Sequence, residues 1–225
     1  MHNAKLIALT QGAEEHALKD AQEIVMYTAR VSNPANQDST NTGLLRYCIN
    51  NRHWSIFEMS NMVLEINTTR AISPQILRHR SFSFQEFSQR YAAVYGLSGS
   101  IPLPDLRRQD EKNRQASHDD LGEDLKRDLQ ASVDMLYEHA IDVYGELLAE
   151  GVAKECAREV LPIGTPTRLY MNGTIRSWIT YIALREKNGT QLEHQMVAKS
   201  CKEIFCKHLP VIGDAPGGFD TDWNI

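Results

Sequence analysis

The stretch RHRSFSFQEFSQRY, from Arg78 to Tyr91, carries three arginines and a histidine among three phenylalanines, a glutamate and several hydroxyls. Unpaired guanidinium groups are expensive to bury, and a protein cannot deprotonate them to escape that cost. Aromatic rings so closely spaced have equally little use on an open surface. The mixture points to a cleft that receives anions and flat rings together. Arginine forks grip phosphate at two points, hydroxyls and backbone amides add donors, and glutamate accepts from a sugar hydroxyl or a ring nitrogen. From the segment Gln75 to Arg90, the residues Gln75, Arg78, His79, Arg80, Glu86, Ser88 and Arg90 therefore suit a nucleotide. From these residues alone, a structural cluster of surface ion pairs explains the arginines equally well.

The block resembles the signature of the flavin-dependent thymidylate synthases: Arg78-His79-Arg80 followed, after seven residues, by Ser88, with the flanking Gln-Glu-Phe-Ser-Gln-Arg-Tyr extending the match. Upstream, HWSIFE resembles the family's His-x-Ser/Thr-x-x-Glu element, which implies that His53, Ser55 and Glu58 lie beside a flavin. Downstream, AREVLP resembles Ala-Arg-x-x-Leu-Pro, whose arginine, here Arg158, reaches a nucleotide bound mainly by a neighbouring subunit. TIRSWITYIALR resembles the stretch that ends in an arginine held against uracil, here Arg185. The likeness extends from the ARVSNP turn near Ala29 to the C-terminal helices.

The resemblance implies reductive methylation of deoxyuridylate (dUMP) to thymidylate (dTMP), with methylenetetrahydrofolate as carbon donor and FAD reduced by NADPH as hydride carrier. Arg185 is the implied activating, catalytic residue. A permanent cation beside the uracil ring favours its N3-deprotonated form and pushes electron density toward carbon 5. The implied flavin contacts are His53, Ser55, Glu58, Arg78, His79, Arg80, Glu86, Thr174, Arg176 and Thr180. The implied substrate contacts are Gln75, Arg78, Glu86, Phe87, Ser88, Gln89, Arg90, Arg158 and Arg185. No metal is implied. The expected assembly is a homotetramer with active sites shared between subunits.

The chain departs from the pattern in places. Several relatives have asparagine at the positions of Thr174 and Thr180 and histidine at that of Gly189, and some have asparagine at that of Gln85. Threonine lacks the paired donor and acceptor of an amide. Other readings are a non-catalytic nucleotide-binding protein, an NADPH-dependent flavin reductase of another kind, and an RNA-binding module in which Phe82, Phe84 and Tyr91 stack bases.

Several elements must position these groups. Apolar spacing predicts helices over Ala17 to Val31, Asn41 to Asn51, Asp119 to Glu150, Ile175 to Arg185 and Gln191 to His208. TTRAISPQILRHR and VAKECAREVL read as further helices, and in the first Gln75 and Arg78 would share a face. MVLEINT and TRLYMNG read as strands, and Ser81 to Phe84 as an extended stretch. On the long helix Leu125, Leu129, Val133, Leu136, Ala140, Val143 and Leu147 form the apolar stripe. Arg176 and Arg185, nine apart, project in roughly opposed directions, which fits Arg176 near flavin and Arg185 near uracil. The fold class that the resemblance implies is α+β: a single domain over 1–225 with a small antiparallel sheet flanked by several long helices.

The 225 residues are 42% hydrophobic and 24% charged, enough for a proper core. A formal net charge of -5 argues against general nucleic-acid binding, which needs excess positive charge. No run of about 18 apolar residues suggests a membrane span, and no secretion signal opens the chain, so a cytoplasmic protein is expected. Cys48, Cys156, Cys201 and Cys206 have neither CxxC pairing nor zinc-like spacing and read as reduced structural thiols. Cys156 and Arg158, about 200° apart on a helix, face different ways, so Cys156 is not read as a nucleophile.

Overall fold

A computed structural model describes residues 1–97, 100–187 and 189–214. Strand β1 (Asn3–Leu9) is followed by helices α1 (Ala21–Ala29) and α2 (Gly43–Asn50), a 3-10 turn over Trp54–Glu58, and strand β2 (Asn61–Thr69). Next come α3 (Ser73–Leu77), β3 (Ser83–Glu86), the short strands β4 (Arg108–Gln109) and β5 (Ser117–His118), and the long helix α4 (Glu123–Ala149). After α5 (Lys154–Ala157) and a 3-10 turn over Arg158–Val160, the chain forms β6 (Pro166–Thr174), α6 (Ile175–Arg185), α7 (Leu192–His208) and α8 (Pro210–Gly213). Four strands form a small antiparallel sheet in the order β1-β2-β6-β3, so the expected α+β class is borne out. β4 and β5 pair antiparallel by themselves.

The residues group into two compact units, the first holding Asn67–Ile76 and Glu86–Leu169, the second His2–Ile66, Leu77–Gln85 and the chain from Tyr170 on. In the second unit, Met62, Leu64 and Ile66 alternate along β2 on its buried face, as a strand covered on one side requires. Trp178 on α6 is fully buried and donates its indole N–H to the Met62 carbonyl at 2.9 Å. Helix α6 packs on α7, and α7 on β1 and α8. Phe82 stands T-shaped to Trp178 with ring centroids 4.9 Å apart. In the first unit, Val94, Tyr144 and Ala157 form a core covered by Ile141, Leu147, Leu148, Val152 and Leu161.

Several expected elements are shorter than their apolar spacing suggested. α1 begins at Ala21 because the Asp20 carboxylate caps it, accepting from the amides of Gln22 at 2.8 Å and Glu23 at 2.9 Å. α3 has only five residues, since Thr68 and Thr69 belong to β2. It ends at Leu77, so Arg78 sits in a turn and not on a shared helical face with Gln75. VAKECAREVL divides into a short α-helix and a 3-10 turn. β1 and α8 were not foreseen.

The stripe on α4 needs a larger correction. Leu125, Leu129 and Leu136 are 52%, 44% and 60% exposed, and Tyr144 is the helix's buried residue. The cysteines are reduced, with Cys48 and Cys201 buried, but Cys156 is exposed and has no structural role in a core. The tail GDAPGGFDTDWNI reads as loop-like from its composition; Gly213 closes α8, and the residues from 215 on lie outside the described ones.

Candidate active site

In the second unit, the site is built on α6. The Thr174 hydroxyl caps the helix by accepting from the Ser177 amide at 3.2 Å, so the helix starts where Thr174 leaves extended geometry. Eleven residues later the helix ends on Arg185, where a cation is favoured by the negative end of the helix dipole. Tyr181 and Arg185 are four apart and share a face.

Arg185 donates its Nε–H to His79 Nε2 at 2.9 Å. An imidazole that accepts at Nε2 from a permanent cation must be neutral and carry its proton on Nδ1. Burial, then the charges of Arg185 and Arg78, lower the His79 pKa to about 4, in keeping with that form. The His79 ring stands T-shaped to Tyr181 with centroids 4.9 Å apart. Burial presses on Arg185 as well, and Arg78 adds like charge.

Among the described residues, no carboxylate pairs with Arg78, Arg80 or Arg185. Close cations without a counter-charge cost free energy unless an anion joins them. The structure therefore removes the salt-bridge explanation for these three guanidinium groups.

Of the other expected flavin contacts in this unit, His53, Ser55, Glu58 and Arg176 are exposed and Thr174 and Thr180 half-buried. His53 precedes the 3-10 turn that carries Ser55 and Glu58, and its ring stands edge-on to Tyr47 at 5.8 Å. Glu58 accepts a short hydrogen bond from Arg176. Thr180 donates to the Arg176 carbonyl at 3.1 Å, and Thr174 is engaged by Ser177. Both threonines thus serve α6 locally. Arg176 and Arg185 have different partners, as their spacing predicted.

In the first unit, Glu86 receives Arg70 at 2.7 Å and the Thr167 hydroxyl at 2.9 Å, which fixes its carboxylate. Phe87 continues the strand pairing by donating its amide to the Arg168 carbonyl at 2.8 Å. The chain then turns, with the Ser88 carbonyl accepting from the amides of Tyr91 at 3.1 Å and Ala92 at 3.0 Å. Ser88 is exposed in this turn. Gln89 is only 6% exposed, yet its side-chain Nε2 has no hydrogen-bond partner. A buried donor without an acceptor costs roughly 1–3 kcal/mol, so an arriving acceptor there is favoured.

Arg90 and Arg158 converge on one residue of this unit. Arg90 pairs with the Glu155 carboxylate at 2.9 Å, while Arg158 donates to the Glu155 carbonyl at 3.3 Å. Arg158 therefore does not use the carboxylate of either neighbouring glutamate. Gln75 lies half-buried on α3.

Sequence reasoning missed Arg70, Thr167, Tyr181 and His194, which hold or adjoin the expected residues. Their signal is weak because their partners lie far away in the chain. Tyr181, four residues before Arg185 on one helix face, was the one that spacing could have found.

A small antiparallel sheet with helices, close arginines without a carboxylate partner among the described residues and a neutral histidine form a site whose chemistry suits an anionic, ring-bearing ligand. The model of the thymidylate synthase complementing protein family matches residues 14–211. The chain is 51% identical, over 98% of its length and 99% of the relative, to the "Probable flavin-dependent thymidylate synthase" of Paramecium bursaria Chlorella virus 1. It is 50% identical, over 85% of its length and 87% of the relative, to the flavin-dependent thymidylate synthase of Synechocystis sp.. A solved structure, the UMP/dUMP methylase PolB from Streptomyces cacaoi bound with 5-Br dUMP, superposes with a TM-score of 0.78 at 26% identity, covering 94% of this chain and 93% of that one. The chain belongs to the thymidylate synthase complementing protein family and is an enzyme of the flavin-dependent thymidylate synthase kind.

Proposed function

We propose that this enzyme methylates dUMP to dTMP, taking the methylene of methylenetetrahydrofolate and using FAD reduced by NADPH. The observation that carries the reading is the pair of Arg78 and Arg185, neither matched by a carboxylate among the described residues, beside a neutral His79. Its donor set fits a nucleotide cofactor, since two close cations suit pyrophosphate or phosphate, and exposed Arg80, His53, Ser55, Glu58 and Arg176 are assigned as further polar contacts. Thr174, Thr180 and Glu86 are weaker candidates, being engaged already. FAD, when bound, supplies the hydride.

The protein's own part is to bind and to orient. Arg185, held at Nε by His79, keeps its two terminal nitrogens for the ligand, and beside uracil it would stabilise negative charge at N3 and O4. Gln75, Phe87, Ser88, Gln89, Arg90 and Arg158 are assigned to dUMP, with the unpartnered Gln89 Nε2 supporting that assignment most directly. Arg78 and Glu86 are assigned to both ligands. The exposed leucines of α4 support a homotetramer, because an apolar stripe left in water favours association with another copy. The match over residues 14–211 supports one functional domain.

The test is direct. Purified protein is expected to be yellow and to form dTMP only when dUMP, methylenetetrahydrofolate and NADPH are all supplied. Colourless protein that binds dUMP would favour a non-catalytic nucleotide binder, and flavin reduction without dTMP formation would favour a reductase.

A further inference from the structure

Beside the Arg185–His79 pair lies another imidazole, this one fully buried, with no part in the proposed reaction. His194, on the first turn of α7, is 0% exposed, and Tyr181 is 1% exposed. The Tyr181 hydroxyl and His194 Nε2 share a hydrogen bond of 3.1 Å. The rings of His194 and His79 are 6.4 Å apart at 83°, both against Tyr181. We propose that His194 is a positioning residue: through its hydrogen bond to the Tyr181 hydroxyl it locks the tyrosine ring that sets the orientation and tautomer of His79, and His79 in turn aims Arg185.

Each link has a physical basis. Rotation of Tyr181 about its Cα–Cβ bond would swing the ring and carry the distal oxygen away, and the hydrogen bond to His194 opposes that swing. The T-shaped packing then restricts His79 to one ring plane, which presents the Nε2 lone pair to Arg185. His194 is suited to this role because it stays neutral. Burial lowers its pKa to about 3, with Arg185, His79 and Arg78 acting in the same direction. Its place at a helix N-terminus also disfavours a proton. Tyr181, buried, is held firmly in its protonated form.

The kinetic consequence rests on the reading of Arg185 given above, so the test has two arms. In [15N]histidine-labelled holoenzyme, long-range proton–nitrogen correlation spectra are expected to show His79 as the Nδ1–H tautomer. H194L and Y181F shift that signal toward a mixture of tautomers, whereas H194Q, which can still reach the hydroxyl, does not. In turnover, H194L and Y181F are expected to lower kcat/KM for dUMP about tenfold, mainly through KM, with flavin content unchanged. The double variant loses no more than either single one, H194Q keeps at least about half of the wild-type value, and H194L adds nothing in an R185A background.

An unchanged His79 signal in both H194L and Y181F overturns the proposal, as does equal impairment of H194Q and H194L. Y181F decides the matter even if H194L does not fold. Should R185A itself leave dUMP binding intact, the reading of Arg185 fails, while the His79 spectra still judge the link from His194.

Discussion

Arg185 and His79, 106 positions apart in the chain, meet nitrogen to nitrogen at 2.9 Å with the guanidinium as donor. The contact defines the histidine as a neutral acceptor and engages Nε, not the terminal guanidinium nitrogens.

Removing the cation therefore separates binding of the cofactor from chemistry. R185A is expected to retain flavin, read from its visible absorbance, and to lose about 10²-fold or more in dTMP formation. Unaltered turnover would take Arg185 out of the reaction.

The Glu58–Arg176 pair is half-exposed on both sides, so as an ion pair it contributes at most about 1 kcal/mol. If Arg176 also holds flavin, R176A lowers the fraction of protein that retains flavin far more than it lowers the unfolding midpoint. An equal flavin content in R176A and wild type would leave the pair a structural contact.

Glu86 is more enclosed, at 17% side-chain exposure, and it neutralises Arg70 while accepting from Thr167. E86A leaves both partners unsatisfied and is expected to destabilise the fold by about 1–3 kcal/mol in urea titrations, and E86Q by less. A variant as stable as wild type would show that water replaces the carboxylate without loss.

Gly173 lies against the Phe82 ring, and a Cβ there would fall 2.4 Å from Phe82 Cδ1. Because Phe82 is packed on Trp178 and Tyr181, it has little room to yield. G173A is expected to cost about 1–3 kcal/mol, measured by denaturant unfolding. Full stability would mean that Phe82 has another rotamer open to it.

His79 and His194 have folded pKa values of about 4 and about 3, both below the 6.5 of an exposed imidazole. Their folded values are depressed, so below pH 6.5 the unfolded chain takes up protons that the folded one refuses. Stability is therefore lost as pH falls from 6.5 toward 4. Between pH 7 and pH 5, H194Q is expected to lose less unfolding free energy than wild type, because one such proton is removed. An identical slope would indicate that His194 accepts its proton in the folded state.

Much of the fold could be read locally. The span of α6 follows from its apolar spacing and terminal residues, and β2 from its alternation, because both report neighbours along one element. Where a cap or a competing strand intervened, as at Asp20 and at Thr68-Thr69, the helices shrank. The strand β1 escaped notice because its seven residues alternate poorly and its contacts lie on α7, far along the chain. The apolar stripe of α4 was legible as a stripe, but periodicity says only that a face seeks cover, not what covers it.

The candidate site divides in the same way. Residue types and spacing alone determined that arginines would gather with aromatic groups near Arg78–Tyr91 and that Arg185 would close a helix, since chemistry and helical period belong to short stretches. Tertiary structure decided that Arg185 meets a neutral His79, that Tyr181 and His194 stand behind it, and that Glu86 is held by Arg70. Protonation state and hydrogen-bond partner depend on burial and on charges brought from distant segments, and no short window of sequence contains those.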